Sequence, residues 1–407
     1  MRGPSPDTDE KLRPEFAAGE RKPGAHHPQR LQPPLPGDWR GPVRSGQSRL
    51  DDTIPAAVLE QRTAGPVFGG GQRTPGSGGA DGRFVGPTGG RDSNGTPRFD
   101  QQVKPGGYLW WYLDAISDDG QQALSIIAFV GSVFSPYYAW AFERQGAAVD
   151  PDDHCALNVA LYGKGGKRWA MTERHRSSME RGPQHFAIGP SSLSWRGDHL
   201  HIELNELCAP LPYPVRGSVR LYPSALSTFM TPLDTAGRHR WGPIAACARI
   251  EVDLQNPRTS WKGEAYFDSN EGDEPVDQQF EAWDWSRARL KDGSTAVLYD
   301  IRQADGVKRV IAQRFSPDGQ AQAFAPPAVT VALPRSLWQI QRSVRADDSA
   351  TTRLLQTLED APFYNRSLLQ TSLLGEAVTA VHETLQAQRL SSLPVRLMLP
   401  WRMPRWN

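Results

Sequence analysis

The chain has 407 residues, enough for two folded domains, or one large domain, with an additional segment. Its 46 basic and 45 acidic residues leave a net charge of +1, so no overall field attracts the chain to nucleic acid. No continuous apolar run approaches the roughly 20 residues that a membrane-spanning helix requires. The N-terminus has no apolar stretch of secretory type. We therefore expect a cytoplasmic protein without a nucleic-acid partner.

The first 100 residues differ in composition from the rest of the chain. They contain 18 Gly and 14 Pro, whereas the other 307 residues contain 41 of these two types together. A segment so rich in Gly, Pro and charge cannot bury enough apolar surface to offset the entropy cost of ordering. We interpret residues 1–98 as a disordered arm and expect folding to begin near Phe99. On this interpretation, a chain that starts near Ser93 should fold and keep its activity.

From residue 99 onward the pattern is typical of strands. The run 108–113 is aromatic and β-prone, and it ends at the turn signal 117–120. The run 123–134 is apolar on both faces, which is typical of a buried strand. The segments 193–195 and 199–207 flank Arg-Gly-Asp and predict a hairpin, because Leu and Ile alternate with polar residues in its second arm.

Asp-Gly turns separate further short β-prone runs. They occur at 292–293, 305–306 and 318–319. Short strands at this spacing indicate an antiparallel sandwich or barrel. We therefore predict an all-β protein, and about 300 residues of such strands fit two consecutive barrels better than one.

Three cysteines, Cys155, Cys208 and Cys247, are widely spaced and odd in number. This pattern argues against a disulfide framework or a zinc site. We interpret them as small buried side chains. Two histidines and a glutamate at 199, 201 and 203 share one strand face at a spacing that could hold a metal, but solvent exposure on a polar face is the favoured interpretation.

Several long segments resemble one known family. The segments are PGGYLWWYLDAISDDG (105–120), IIAFVGSVFSPYYAW (126–140), AGRHRWGPIA (236–245), GEAYFDSNEG (263–272, with the run from Trp261), AWDWSRA (282–288), LEDAPFYNRSLL (358–369) and MLPWRMPR (398–405). Together they resemble the acyclic carotenoid hydratases, also called carotenoid 1,2-hydratases. The resemblance begins near residue 99, and it implies two lipocalin-like β-barrels, which we place at residues 99–245 and 246–407.

The resemblance also implies an activity. It is the hydration, without cofactor or metal, of the terminal C1–C2 double bond of neurosporene- or lycopene-type carotenoids in a photosynthetic bacterium. Such an alkene is unactivated, so the reaction requires a strong acid. Protonation at C-2 leaves a tertiary cation at C-1, to which water adds. A carboxyl group in an apolar pocket can hold the proton near neutral pH, and aromatic faces stabilise the cation.

Four residues in the matched segments fit this chemistry. On a strand Tyr266 and Asp268 share a face, and so do His239 and Trp241. We expect Asp268 to donate the proton, Tyr266 and Trp241 to line the cation, and His239 to orient Asp268 or the water. These are also the positions that the resemblance favours. The alternative for Asp268 is a turn-capping role before residues 269–272.

Other acids allow more than one interpretation. Asp284 stands between Trp283 and Trp285, and the favoured interpretation places the two indoles in the core and Asp284 outward. Asp114 follows an aromatic run and is either a buried acid or a strand-end residue, of which we favour the second.

The C-terminus predicts an attachment to a membrane surface. Arg396, Arg402 and Arg405 are interleaved with apolar side chains. These are Leu397, Met398, Leu399, Trp401, Met403 and Trp406. Tryptophan prefers the headgroup interface, and arginines are attracted to anionic lipid. Pro400 and Pro404 exclude a regular helix, so we expect an irregular patch. The alternative is that Leu397 and Trp401 cover the second barrel.

Two other functions share these sequence features. Lipocalin-like barrels also carry apolar ligands without reaction, and a carrier needs no buried acid. An isoprenoid cyclase would use the same acid and aromatic rings but exclude water. These residues fit a hydratase, a carrier and a cyclase alike. Only a hydratase transfers the oxygen of labelled water into its product.

Overall fold

The computed structural model describes residues 89–163 and 166–406. Within them the chain is built mainly of antiparallel strands, which confirms the prediction of an all-β protein. The predicted arm lies outside the described residues up to residue 88.

The first sheet is formed mainly by residues 108–272. Its strands are β1 (Tyr108–Ser117), β2 (Gln122–Val130), β3 (Cys155–Gly163), β4 (Arg168–Arg174), β5 (Met179–Gly182), β6 (His185–Ile188), β7 (Ser191–Trp195), β8 (Leu200–Leu207), β9 (Pro214–Pro223), β10 (Thr231–Pro232), β11 (His239–Asn256) and β12 (Arg258–Gly272). Their order is β4-β3-β2-β1-β12-β11-β9-β8-β7-β6-β5, with β10 paired to β11. The hairpin predicted around residue 197 is confirmed as β7 and β8.

The second sheet follows in the chain. Its strands are β13 (Phe280–Arg289), β14 (Thr295–Gln303), β15 (Lys308–Phe315), β16 (Ala321–Ala323), β19 (Arg353–Asp360), β20 (Tyr364–Leu373) and β21 (Glu376–Leu385), in the order β16-β15-β14-β13-β21-β20-β19. A separate hairpin consists of β17 (Val329–Leu333) and β18 (Arg342–Ala346). The last strand, β22 (Arg405–Trp406), returns to the first sheet and pairs with β4.

Helices are short and connect the strands. They are α1 (Pro136–Gln145), α2 (Val276–Gln279), α3 (Ala387–Leu390) and α4 (Leu393–Met398). Single 3-10 turns occur at Gly146–Ala148, Pro151–His154, Arg176–Ser178, Ser349–Thr351 and Leu399–Trp401. The Ser135 side chain caps α1 and ends the apolar run, which is a strand only as far as Val130. No helix in the described part of the chain is long and apolar enough to span a bilayer.

The division between the two sheets lies at residues 273–279, between β12 and β13. The predicted domain boundary at 245/246 falls inside β11, which pairs with β9 on one side and β12 on the other. The residues 243–248 form a continuous run of Pro, Ile, Ala and Cys with no turn signal, and polar and apolar residues alternate only from Arg249 onward, so the pattern did not show that one strand crosses this point.

Strand β1 explains how an unbroken aromatic run can be one strand. Leu109, Trp111 and Leu113 face the core enclosed by the first sheet. Tyr108 and Tyr112 face a second core that also contains side chains of the second sheet. Since successive side chains point to opposite faces, β1 separates two apolar regions and is buried on both.

Part of the segment predicted to be disordered is packed in the structure. The Gly89 N–H donates to Glu271 Oε2 at 2.9 Å, and the Trp111 indole donates to the Gly90 carbonyl at 3.1 Å. Arg91 is buried. The described chain is therefore ordered from Gly89, ten residues before the predicted start. Composition missed this segment because its contacts are made by backbone and by one long cation rather than by apolar side chains.

Candidate active site

A cavity of about 420 Å³ is lined by side chains from both sheets and from the C-terminal segment. Its wall is mainly aromatic. The indoles that contribute to it include Trp110, Trp169, Trp241, Trp283, Trp285 and Trp401. A cavity of this size and character suits an apolar organic molecule.

Asp268 is a polar group in this wall and is only 5% exposed. Its Oδ2 accepts a hydrogen bond from Trp241 Nε1 at 2.7 Å and another from the Tyr266 hydroxyl at 2.9 Å. Among the described residues Oδ1 accepts no hydrogen bond. Asp268 lies inside β12 and its partners are side chains, so the turn-capping alternative does not describe its position.

Burial raises the pKa of Asp268 from 3.8 to about 7. The hydrogen bonds from Trp241 and Tyr266 act in the opposite direction, because they stabilise the carboxylate. The carboxylates of Glu383 and Asp114 add a smaller upward effect on this pKa. Desolvation is the largest effect, so a large fraction of Asp268 is protonated at neutral pH.

The structure brings Tyr266 and Trp241 to Asp268 but places them differently. The Trp241 ring is part of the cavity wall. Tyr266 is fully buried behind the wall, with its ring centroid 5.4 Å from that of Trp285. Trp241 is therefore placed where a molecule in the cavity would contact its ring, whereas Tyr266 contacts Asp268 from behind the wall.

His239 does not hydrogen-bond to Asp268. Its Nδ1 lies 2.9 Å from the Tyr108 hydroxyl, which donates to Asn270 Oδ1 at 3.2 Å. Asn270 lines the cavity, so His239 is connected to the cavity only through the side chains of Tyr108 and Asn270. Burial lowers the pKa of His239 to about 4, so its imidazole is neutral at physiological pH. A direct orienting contact between His239 and Asp268 is absent from this geometry.

A buried charge network beside the site was not predicted. Arg287 Nε donates to Asp114 Oδ1 at 2.7 Å, and Arg366 pairs with Glu383. The Tyr112 hydroxyl contacts both acids, at 2.8 Å from Asp114 Oδ2 and 2.5 Å from Glu383 Oε1. Asp114 is buried in the middle of β1, so its strand-end interpretation is wrong. The partners are far apart in sequence, which leaves no local signal for the network.

The other predicted polar groups lie outside the cavity wall. Asp284 is buried rather than outward, and it accepts hydrogen bonds from Thr384 at 2.5 Å and Arg302 at 3.1 Å. His201 pairs with Glu203. Within the described ranges no group of three or more His, Cys, Asp or Glu side chains is placed to hold a metal. The three cysteines are free and buried, which confirms their interpretation as small core residues.

A carboxyl group that is protonated near pH 7 and faces an aromatic cavity defines a site for acid chemistry on an apolar molecule. The comparisons with known proteins agree with that class. The carotenoid hydratase CrtC family model matches residues 126–407. The chain therefore belongs to the carotenoid hydratase CrtC family.

Two relatives are similar over nearly the whole chain. An acyclic carotenoid 1,2-hydratase from Rubrivivax gelatinosus is 54% identical over 376 residues, 92% of each chain. One from Thiocapsa roseopersicina is 50% identical over 381 residues, 93% of each chain. Residues 99–407 make up only 309 of the 407 residues, or 76%, whereas the matches cover 92% and 93% of the chain. The similarity therefore extends into the first 98 residues. This is contrary to the expectation that the resemblance begins near residue 99. Among solved structures, that of CghA with Sch210972 is 11% identical and covers 73% of this chain and 96% of its own, with a TM-score of 0.46.

Proposed function

We propose that this protein hydrates the terminal C1–C2 double bond of acyclic carotenoids to the 1-hydroxy product. This proposal rests on the burial of Asp268 in the aromatic wall. Burial raises the pKa of this carboxyl group to about 7, so the group can hold a proton near neutral pH. The family membership and the names of the two relatives support the same reaction.

The proposed first step is proton transfer from Asp268 to C-2 of the substrate. Oδ1 is the donor atom, because Oδ2 is occupied by Trp241 and Tyr266. As the proton leaves, the same two hydrogen bonds stabilise the new carboxylate. The tertiary cation at C-1 lies against the faces of Trp241 and Trp285, whose rings attract positive charge in a dry site.

In the second step water adds to C-1 and loses one proton. The carbon–carbon π bond is replaced by one C–H and one C–O bond, so the overall reaction consumes only alkene and water. Addition of water causes no net oxidation or reduction of the substrate, so the reaction has no redox step.

We propose that the protein collects its substrate at a membrane surface. Trp401 is 76% exposed and Trp338 is 43% exposed, and both belong to the lining of the cavity. Leu397 is also exposed, which supports docking rather than the alternative that it covers the second sheet. Arg402 stacks on Trp169 with its guanidinium carbon 4.5 Å from the ring centroid. The cavity thus has exposed indoles at its edge, where a lipid-soluble chain would enter.

We also propose that the two sheets correspond to two lipocalin-like barrels. The first sheet encloses an apolar core of its own, and a smaller core lies within the second. Under this proposal the active-site cavity lies where the aromatic core shared by both sheets is open to the surface.

Replacement of Asp268 by Asn tests the proposed function. Asn keeps an oxygen for the Trp241 and Tyr266 hydrogen bonds but has no acidic proton. Hydration of lycopene in detergent micelles should fall by at least about 100-fold, in line with loss of a general acid. The far-UV circular dichroism should be that of the original protein. Turnover by the Asn variant within a factor of about three of that of the unaltered protein would refute Asp268 as the acid. If the unaltered protein itself bound carotenoid but formed no product, and the Asn variant bound equally well, the protein would be a carrier.

A further inference from the structure

We propose that Glu383 is a second catalytic residue, the carboxylate that accepts the proton of the attacking water. This inference rests on the proposed hydration and adds to it the group that completes the reaction. Glu383 belongs to β21 of the second sheet, whereas Asp268 belongs to β12 of the first. Both side chains line the same cavity.

Each of the two carboxyl groups is held through one oxygen. The hydrogen bonds to Asp268 go to Oδ2, and those to Glu383, from Tyr112 and Arg366, go to Oε1. Within residues 89–163 and 166–406 neither Asp268 Oδ1 nor Glu383 Oε2 has a hydrogen-bond partner. Each acid is therefore fixed in orientation and has one oxygen available to a molecule in the cavity.

The two acids flank the same aromatic group. Tyr112 is paired with Asp268 across β1 and β12, and its hydroxyl reaches Glu383 at 2.5 Å. Trp285 is paired with Glu383 across β13 and β21. The Trp285 ring lies 5.7 Å from that of Tyr112 and 5.4 Å from that of Tyr266, which is hydrogen-bonded to Asp268. Trp285 therefore neighbours both acids, Glu383 by strand pairing and Asp268 through Tyr266.

The charge of Glu383 suits acceptance of a proton from an oxonium ion. Arg366 is buried and pairs with Glu383, so a cation lies directly beside this carboxyl group. Asp114 is paired in the same way with Arg287. These two pairs cancel in charge, and Asp268 is the carboxyl group of this cluster without an arginine partner. An ion-paired carboxylate is a weak base, but an alkyl oxonium is a far stronger acid than any carboxylic acid.

In the proposed step Glu383 accepts a proton from the water that has attacked C-1. A lone pair of water forms the C–O bond to C-1, and one O–H bond of the resulting oxonium breaks as its proton passes to Glu383 Oε2. The products are the tertiary alcohol, protonated Glu383 and the Asp268 carboxylate left by the first step. One proton then returns from Glu383 to Asp268 through water in the emptied cavity, which restores the resting enzyme.

The test separates cation formation from water addition. In D2O, Asp268 delivers deuterium to C-2, and a cation that is not captured by water returns a proton to Asp268. The recovered alkene then carries deuterium at C-2. Mass spectrometry of recovered lycopene measures this exchange, and the yield of 1-hydroxy product measures hydration.

Glu383→Gln should lower hydration by about 100-fold or more while exchange into recovered lycopene continues. Asp268→Asn should lose both. Glu376→Gln, at the half-buried start of the same strand, should change neither. Glu383→Asp is a second test in case the Gln variant does not fold, because it keeps a carboxylate for Arg366. Its shorter side chain withdraws the carboxylate from the water, so the ratio of hydration to exchange should fall here too.

Two results would overturn the role of Glu383. One is an unchanged ratio of hydration to exchange in Glu383→Asp or Glu383→Gln, which would leave the Asp268 carboxylate as the base. The other is an equal loss of hydration and exchange in a folded Glu383→Gln protein, which would make the residue structural. Failure of the unaltered protein to form any alcohol would instead refute the proposed hydration itself.

Discussion

At the scale of single residues, the site depends on how the surroundings of one carboxyl group set its proton affinity. Two hydrogen bonds stabilise the Asp268 carboxylate, and desolvation opposes them more strongly. The result is an acid that is available near pH 7 and still has partners for its conjugate base. The same residue on an exposed strand would be fully ionised at that pH.

The pH dependence of turnover follows from this balance. The reaction requires protonated Asp268, so activity should be highest below pH 7 and should decrease as the pH rises through about 7. His239 contributes no change in this range, because its pKa is lowered to about 4. Initial rates between pH 5 and pH 9 provide the measurement, and a flat profile would disagree with Asp268 as the acid.

Tyr266→Phe should move this profile in a defined direction. It removes a hydrogen bond that lowers the pKa of Asp268, so the decrease in activity should move to higher pH by about one unit. The maximal rate should fall, because the acid is weaker and its conjugate base less stable. Tyr364→Phe, whose hydroxyl accepts from Arg366, is a comparison variant that should leave the midpoint in place. A shift to lower pH in Tyr266→Phe would contradict the assignment.

At the scale of elements, the site is held by two adjacent strands and by a segment that sequence composition assigned to disorder. Arg91 donates to the carbonyls of Pro243 at 2.7 Å and Ser227 at 3.0 Å, and to Ser269 Oγ at 2.7 Å. It also donates to the carbonyl of Gly242. Gly242 directly follows Trp241 and Ser269 directly follows Asp268. This guanidinium therefore links β11, through the Gly242 carbonyl, to β12, through the Ser269 hydroxyl, next to the two hydrogen-bonded residues.

Arg91→Met should therefore destabilise the protein and weaken the site. Several buried carbonyls lose their donor, and each costs about 1–3 kcal/mol when left unsatisfied. We expect a decrease of at least about 3 kcal/mol in the free energy of unfolding, measured by urea denaturation. Arg98→Met, which removes a partly exposed pair with Asp100, should lower the free energy of unfolding far less than Arg91→Met. Equal stability of the two variants would show that Arg91 is not a structural contact.

The same contacts revise the expectation for a shortened chain. A chain that begins near Ser93 lacks Arg91, so we now expect it to be unstable rather than active. This reverses the sequence-based hypothesis.

The sequence predicted features that are periodic or local. Strand type, the hairpin around residue 197, the Asp-Gly turns and the common face of Tyr266 and Asp268 all follow from alternation and turn chemistry. The place of His239 behind Tyr108 did not, because it depends on a contact between strands distant in sequence. Glu383 and Arg366 were missed for the same reason. Their strands show only ordinary amphipathic alternation, and their function depends on what the opposite sheet presents.

At the scale of the whole molecule, the cavity needs both sheets and the C-terminus. The acid comes from the first sheet, Trp283 and Trp285 from the second, and Trp401 from the last residues. The C-terminal segment forms the short helix α4 before Pro400 rather than being irregular throughout. Arg396 and Arg405 are paired with Glu143 and Glu173, which reduces the basic charge available for lipid. Docking should therefore depend more on the indoles than on the arginines.

Vesicle binding tests this expectation. The double variant Trp338→Ala/Trp401→Ala should co-sediment with anionic vesicles at least fivefold less than the unaltered protein. Leu374→Ala, in the turn between β20 and β21, is an exposed apolar control that should bind normally. Added salt should weaken the binding only modestly. Equal sedimentation of the double variant and the unaltered protein, with unchanged thermal stability, would remove the membrane-docking proposal.

Hydration of a carbon–carbon double bond leaves the oxygen and one hydrogen of water in the product, so isotope-labelled water reports on the reaction itself. Lycopene incubated with the protein in H2(18)O should yield a 1-hydroxy product in which the new oxygen carries the label, and in D2O one deuterium should appear at C-2. Product formation should depend on Asp268. A cyclic product without label would identify a cyclase, and unchanged lycopene bound to the protein would identify a carrier. Either result would refute the proposed hydration.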